Sequence, residues 1–244
     1  MPAGGRLAGF IRMPDVDPTT WKVISYAADA ITKLETVSVV SGQNGTSLGT
    51  MNYATRNGNL NSMQETGYGW NRWKTSAIRQ YLNSDQPKGK WWTPQDEWDI
   101  VPDQLATKDG FLCGVPDDMK QAMKTVKVIT YANTVQDGGE ADVTYDKVFL
   151  PSLEQMYISP QISGEGNAHE YWKRRSGSST MLKQYETYQR LIHYAVENHT
   201  SPQYVRLRSA GRGNAYITWY VYSSGYVTNY HAFYASRFSP LVVI

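Results

Sequence analysis

The chain has 244 residues, of which 41% are hydrophobic and 19% charged. That is enough to bury roughly 70–75% of the unfolded surface in one core, and it is too apolar for disorder. Aromatic residues with a polar tip dominate: 18 Tyr and 8 Trp against 5 Phe. A single Cys113 excludes a disulfide framework, a cysteine-rich zinc site and a CxxC redox pair. No apolar run approaches the roughly 20 residues of a membrane span, and the opening MPAGGRLAGFIRMPD does not read as a secretion signal. The net charge of +2 hides an asymmetry. All acids and all lysines precede residue 198, and residues 198–244 hold only Arg206, Arg208, Arg212 and Arg237 as charges. Four arginines make a weak basic patch, far short of a nucleic-acid stripe.

In chain order, residues 1–60 are rich in Gly, Thr, Ser and Asn, with short β-type runs at Trp21–Tyr26 and Thr36–Val40. Trp70–Asn83 reads as a short helix capped by Thr75 or Ser76, with Ile78, Tyr81 and Leu82 on one face. Trp70, Trp73, Trp91 and Trp92 flank it, and core packing is a better reading for them than a binding platform. Asp117–Met123 is a second helix behind Pro116. A strand follows at Thr125–Tyr131, then a turn at Gln136–Glu140 and a strand at Val143–Leu150. Ser152 and Gln155 stand at capping-box spacing, which predicts a helix start in Pro151–Ile158. Tyr185, Tyr188, Ile192 and Val196 recur at intervals of three and four, which predicts an amphipathic helix over 181–197. From Tyr204 onward β-branched and aromatic residues broken by Gly211, Gly213 and Gly225 predict an antiparallel meander to the C-terminus. Together these elements make an α+β fold.

Catalytic signatures are scarce. His169, His193, His199 and His231 form no helical ligand pair, and each reads as a packing or surface histidine. There is no GxSxG elbow and no glycine-rich phosphate loop. Asp137, Glu140 and Asp142 could offer oxygens to calcium, but a solvated loop is the simpler reading. Cys113 lacks a nearby His or Lys and reads as a quiet, buried thiol. The residues point away from an enzyme and imply no cofactor and no metal.

The segment 209–239 carries six Tyr, at 216, 220, 222, 226, 230 and 234, interleaved with Asn, Ser, Thr, His and Phe. Such a mixture gives antibody paratopes rigid contact area and adaptable polar groups. A tyrosine-lined core would have the same composition, so composition alone leaves both readings open.

Val205–Ile244, with RLRSAGRG and the terminal RFSP, resembles the C-terminal variable region of proteins diversified by retroelements. Upstream stretches at Trp70–Ser84, Gly110–Asp117 and Asp146–Ser152 are similar to the same family. Its members have a C-type-lectin fold, in a branch similar to the formylglycine-generating enzymes. The likeness covers about residues 65–244, with the variable region at about 205–244, and leaves 1–64 as an N-terminal β-rich segment of uncertain role.

In that family a reverse-transcribed template rewrites adenines, mostly in AAC or AAT codons, which cannot yield Lys, Glu, Gln, Met or Trp. Residues 209–239 contain none of the first four and only Trp219, where the family keeps a scaffold tryptophan. The resemblance implies a scaffold of Arg208, Ser209, Ala210, Arg212, Gly213, Trp219, Val221, Ser224, Gly225, Val227 and Arg237–Pro240. It implies variable, ligand-facing positions at Asn214, Tyr216, Ile217, Thr218, Tyr220, Tyr222, Ser223, Tyr226, Thr228, Asn229, Tyr230, His231, Phe233, Tyr234 and Ser236.

The calcium-dependent sugar motif of related lectins is missing, since Gln86-Pro87-Lys88 puts a lysine where an acid belongs. The implied function is therefore non-enzymatic recognition of a protein or glycan on a cell surface, displayed on a phage particle or bacterial surface. It involves neither nucleic acid nor membrane insertion, and the oligomeric state stays open. A fixed glycan-binding module and a phage structural or decoration protein are the alternatives. If the segment is an exposed, interchangeable surface, replacing Tyr220 and Tyr230 with Ala should leave the melting temperature nearly unchanged.

Overall fold

The computed structural model describes residues 10–12, 24–26, 71–94, 107–135, 137–169, 172–173, 176–194, 201–232 and 237–243. Strands β1 (Phe10–Arg12) and β2 (Ile24–Tyr26) pair antiparallel, the second within the expected run Trp21–Tyr26. The expected run 36–40 and a boundary near residue 64 lie outside the described residues.

Ser76 starts helix α1 (Ala77–Leu82): its backbone is extended, and its hydroxyl accepts from the Arg79 N–H at 3.3 Å. Because Ser76 is extended, the expected helix splits into a 3-10 turn, Trp73–Thr75, followed by α1. Ile78, Tyr81 and Leu82 are buried, as the periodicity predicts, and Tyr81 meets Trp91 and Phe111 edge to face. Trp73 and Trp91 are core residues, which supports packing over a platform. Helix α2 (Asp117–Ala122) carries Asp117 and Asp118 in its first turn, against the positive end of the helix dipole.

A hairpin follows, β3 (Val126–Tyr131) and β4 (Ala141–Asp146), then β5 (Val148–Phe149). Alternation sends Asp142, Thr144 and Asp146 inward and leaves Val143 and Tyr145 outside. The inward carboxylates are clamped by α1 and the segment before it. Arg72 grips Asp142 with two bonds (2.6 and 2.8 Å), and Asp146 accepts from Trp73 Nε1, Arg79 Nε and the Thr144 hydroxyl. Asp137 also pairs with Arg72. The acidic cluster expected to be a solvated loop is thus, at Asp137 and Asp142, a set of ion pairs, because burial of Asp142 requires a bonded counter-charge.

Ser152 and Gln155 do form reciprocal capping bonds, both 3.1 Å, but no helix follows. The turn closes at Tyr157, whose φ of 63° is left-handed. The amphipathic helix expected over 181–197 is likewise absent from the described residues 181–194. In its place are a 3-10 turn at Gln189–Leu191 and strand β6 (His193–Tyr194), paired with β7 (Pro202–Gln203). Tyr185 N donates to Val227 O and Tyr188 N to Gly225 O, so tertiary pairing takes the amides a helix would have used.

Strands β8 (Val205–Ala210), β9 (Ile217–Val221) and β10 (Val227–His231) form an antiparallel meander. The chain then returns to the far edge, where β11 (Arg237–Phe238) runs parallel to β8, so the terminus departs from a pure meander. Strand β12 (Leu241–Val242) pairs with β5. The architecture is α+β.

Two apolar cores result. One joins α1, α2, β5 and β12, and the other lies under Leu207, Trp219, Val221 and Val227. Arg208 sits at the interior junction, fully buried. Its guanidinium donates to Thr130 Oγ1 (3.0 Å), Leu150 O (2.8 Å) and Ile129 O (3.2 Å), and to Gln155 Oε1 and Glu165 O. Burial lowers its pKa to about 10. Two of the four C-terminal arginines, Arg206 and Arg208, are therefore interior and form no basic surface.

Arg208→Leu leaves these acceptors buried without a donor and should lower the unfolding free energy by about 3 kcal/mol or more, read as a shift in urea midpoint. A pH effect follows from His169, whose pKa burial, aided by Arg208, depresses to about 3. The unfolded imidazole titrates near 6.5, so below that pH the unfolded chain binds the proton that the folded chain refuses. His169 should thus add up to about 1.4 kcal/mol of lost stability per pH unit from about 6.5 down to 3. Denaturation curves of the wild type and His169→Gln across that range should diverge in slope.

Candidate recognition face

Strand alternation divides the expected ligand-facing positions between two sides of the four-stranded sheet. Val221 pairs with Val227 and Trp219 with Asn229, on the side of the inner core. Tyr220 pairs with Thr228 and Thr218 with Tyr230, on the side of Arg206.

Four tyrosines gather on the Arg206 side. Tyr204 and Tyr222 meet edge to face at 4.4 Å, Tyr220 lies 6.1 Å from each, and Tyr230 is 6.3 Å from Tyr220. Tyr204 and Tyr230 are 40% and 46% exposed, and Tyr222 is half-buried. Tyr220 is only 7% exposed. It is the floor of the cluster, with the Arg206 guanidinium 5.6 Å from its ring centroid. Desolvation pushes the Tyr220 pKa up to about 12, against the opposing pull of Arg206. Burial lowers Arg206 to about 10. Arg206 donates to Thr218 Oγ1 (2.6 Å), Tyr230 O (3.3 Å) and His231 O (3.0 Å), tying β8 to β9 and, beyond it, to β10.

Two positions expected to face a ligand are thereby corrected. Thr218 has no exposed surface, because its hydroxyl is an acceptor for a buried cation. Tyr220 supports the face rather than presenting itself, because it covers that cation. Asn214, Tyr216, Ile217, Ser223, Tyr226, Thr228, Asn229 and His231 are all half-buried, and the register puts Ile217, Asn229 and His231 on the side of Trp219. His231 stacks on Tyr216 at 5.1 Å, and burial, then the Arg206 charge, lowers its pKa. Asn229 points to the other side and donates to the Tyr185 hydroxyl at 2.7 Å. Phe233, Tyr234 and Ser236 lie outside the described residues.

Of the implied scaffold positions, some are buried and others, Gly213 and Ser224, are exposed. Trp219, Val221 and Val227 have no exposed surface. Gly225 has φ +82°, and a Cβ there would stand 2.3 Å from Tyr188 O, so only glycine fits. Arg212 donates to Ala132 O and Gly139 O, and Gln161 Oε1 accepts from both Arg212 N (3.0 Å) and Trp219 Nε1 (3.2 Å).

Three side chains that hold or flank the sheet escaped the sequence reading. Asn71 is fully buried, and its amide donates to Gly211 O (3.2 Å), Asn214 O (2.9 Å) and Ile217 O (2.6 Å), holding the β8–β9 loop. Tyr204 and Tyr185 carry exposed rings beside the sheet, Tyr185 packing 5.2 Å from Trp219. Tyr204 directly precedes β8, where alternation alone places it with Arg206. Tyr185 and Asn71 act from distant segments, and no local signal marks them.

Other expected sites resolve differently. His169 and His193 are buried packing residues, and His199 lies outside the described residues. Cys113 is exposed, a correction to the buried thiol expected. It sits in the 3-10 turn Phe111–Gly114, whose Phe111 and Leu112 are buried, with its thiol donating to Asp85 O, and its pKa is raised by desolvation and then by Asp109 and Asp85. Among the described residues no group of three His, Cys, Asp or Glu is arranged to hold a metal ion, and no helix is long and apolar enough to cross a membrane.

Residues 38–239 match the family described as a domain of unknown function, DUF6273. The chain belongs to DUF6273. No curated protein and no solved structure matches it. The DUF6273 match takes in the tyrosine face, the Asn71 clamp and the Arg208 junction together.

Tyr204→Ala and Tyr230→Ala should each change stability by no more than about 0.5 kcal/mol, as exposed substitutions do. Tyr220→Ala should cost about 3 kcal/mol, because it strips a ring from a buried guanidinium. Thermal melts of the three variants separate the rim from the floor, and this replaces the expectation of neutrality at Tyr220.

Proposed function

We propose that this DUF6273 chain is a non-enzymatic binding protein whose C-terminal sheet presents a recognition face, and that retroelement diversification varies its rim. The observation that carries the reading is the tyrosine cluster on the Arg206 side of the sheet. Exposed Tyr204 and Tyr230 and half-buried Tyr222 surround a rigid floor of Tyr220 over Arg206. Rings held in place lose little side-chain entropy when a partner arrives, and their hydroxyls supply directional bonds. The C-type-lectin-like fold belongs to the same proposal. It rests on the resemblance of the RLRSAGRG, W.V..SG.V and RFSP stretches, whose apolar residues Leu207, Trp219, Val221, Val227 and Phe238 are buried.

The partner is a protein or glycan on a cell surface. A fixed glycan-binding module is favoured by one observation, the open row of rings, on which sugars could stack. The two readings differ in the DNA. Diversification requires, beside a reverse transcriptase gene, a near-copy of the stretch encoding residues 205–244 that differs almost only at adenines. Sequencing the neighbourhood should find that copy, with differences falling in codons for rim positions such as Tyr222, Tyr230 and Asn214, and sparing Thr218 and Trp219. A neighbourhood without it, together with one glycan specificity shared by sibling sequences on an array, would establish the fixed module instead.

A further inference from the structure

We propose that the edge of β3 away from β4 is a docking groove for an extended acidic peptide, which binds by adding a strand. The site is separate from the tyrosine face.

The backbone parity of the hairpin sets up the edge. Ala132 N donates to Glu140 O, and in the β3–β4 register this makes the even-numbered residues of β3 the hydrogen-bonded ones. The odd-numbered residues Lys127, Ile129 and Tyr131 then turn their N–H and C=O groups to the opposite edge. Two of those groups meet interior partners: Tyr131 N donates to the Glu165 carboxylate at 3.0 Å, and Ile129 O accepts from Arg208. Of the others, Ile129 N–H and both groups of Lys127 belong to residues that line a cleft of about 530 Å³, whose β3 side is formed by residues 124–129. That volume lies within the roughly 300–1,000 Å³ of ligand pockets.

The opposite wall is the loop Gly164–Asn167, with Phe149, Gln155 and Arg208 also lining the cleft. The wall is built rather than loose. Glu154 accepts from the N–H groups of Gly164 and Glu165 at 2.8 and 2.9 Å. Gly166 lies at φ +131° with a would-be Cβ 2.7 Å from Gln155 Nε2, so the loop approaches as closely as its atoms allow.

Charge selects the occupant. Lys124 and Lys127 are exposed on the β3 side, and the one acid lining the cleft, Glu165, is buried with its carboxylate turned to Tyr131 N and Ser209. An unpaired strand edge recognises main chain, and two lysines beside it favour a segment carrying Asp or Glu. Proteins that bind this way take sequence from side-chain pockets and affinity from the ladder.

The test uses the full chain, fluorescently labelled, against a library of random hexapeptides capped at both ends. Selected peptides should be enriched in Asp and Glu. Their affinity should fall at least tenfold in Lys124→Glu/Lys127→Glu and in Ile129→Pro, which deletes the edge N–H at a position an edge strand tolerates. Both variants should keep the wild-type melting temperature within a few degrees; if Ile129→Pro fails to fold, the charge-reversed pair decides alone. Affinity should be unchanged in Tyr204→Ala/Tyr230→Ala, which separates this groove from the tyrosine face. Bound peptide should slow amide exchange at residues 125–129. A library that yields no binder, selects neutral or basic peptides, or gives binders indifferent to the charge reversal overturns the proposal, as does protection that appears elsewhere.

Discussion

Everything in the C-terminal half turns on a buried cation. Arg208 has acceptors on β3, on the chain leaving β5, on the capping turn and on the Glu165 loop, and it reaches them from β8, the strand that also carries Arg206. A guanidinium removed from water is costly unless its N–H groups are met, and here main-chain and neutral side-chain oxygens meet them. The Glu165 carboxylate adds charge compensation nearby, although burial holds its own pKa above the usual carboxylate range. Elements far apart in sequence are thus committed to one geometry, because displacing any of them leaves a buried donor without its oxygen. Arg206 repeats the logic one strand-pleat away, where its acceptors lie on β9 and β10.

Local chemistry was legible wherever it acted locally. The Ser76 cap, the apolar face of α1 and the hairpin strands follow from spacing and residue type, and the burial of Trp219 is what the family resemblance implied. The capping pair Ser152–Gln155 was legible as a pair and misleading as a helix, because the chain turns left-handed at Tyr157. The helical periodicity of Tyr185, Tyr188 and Ile192 misled for a different reason. The amides of Tyr185 and Tyr188 donate to Val227 O and Gly225 O, partners about 40 residues away that no window along the chain contains, and that of Ile192 closes a 3-10 turn on Gln189 O.

The face itself was half legible. Tyrosine density marked the segment, but density is blind to the sheet normal. Register puts Tyr220 and Tyr230 on one side and Asn229 on the opposite side, and burial then makes Tyr220 the floor and Tyr230 the rim. The arginines carried the opposite error. Counted along the chain they make a basic stretch, and inside the fold two of them are structural ties whose charge never reaches solvent.

The Asn71 clamp has a consequence for how the loop between β8 and β9 can evolve. Its amide holds the loop by the carbonyl oxygens of Gly211, Asn214 and Ile217, atoms that every amino acid possesses. The same is true of the Arg206 bonds to Tyr230 O and His231 O. Codon changes at 214, 217, 230 or 231 therefore swap what protrudes without deleting a single anchoring oxygen. Thr218, gripped through its hydroxyl, lacks that freedom. The boundary between mutable and immutable positions is drawn by whether the grip closes on main chain or on side chain.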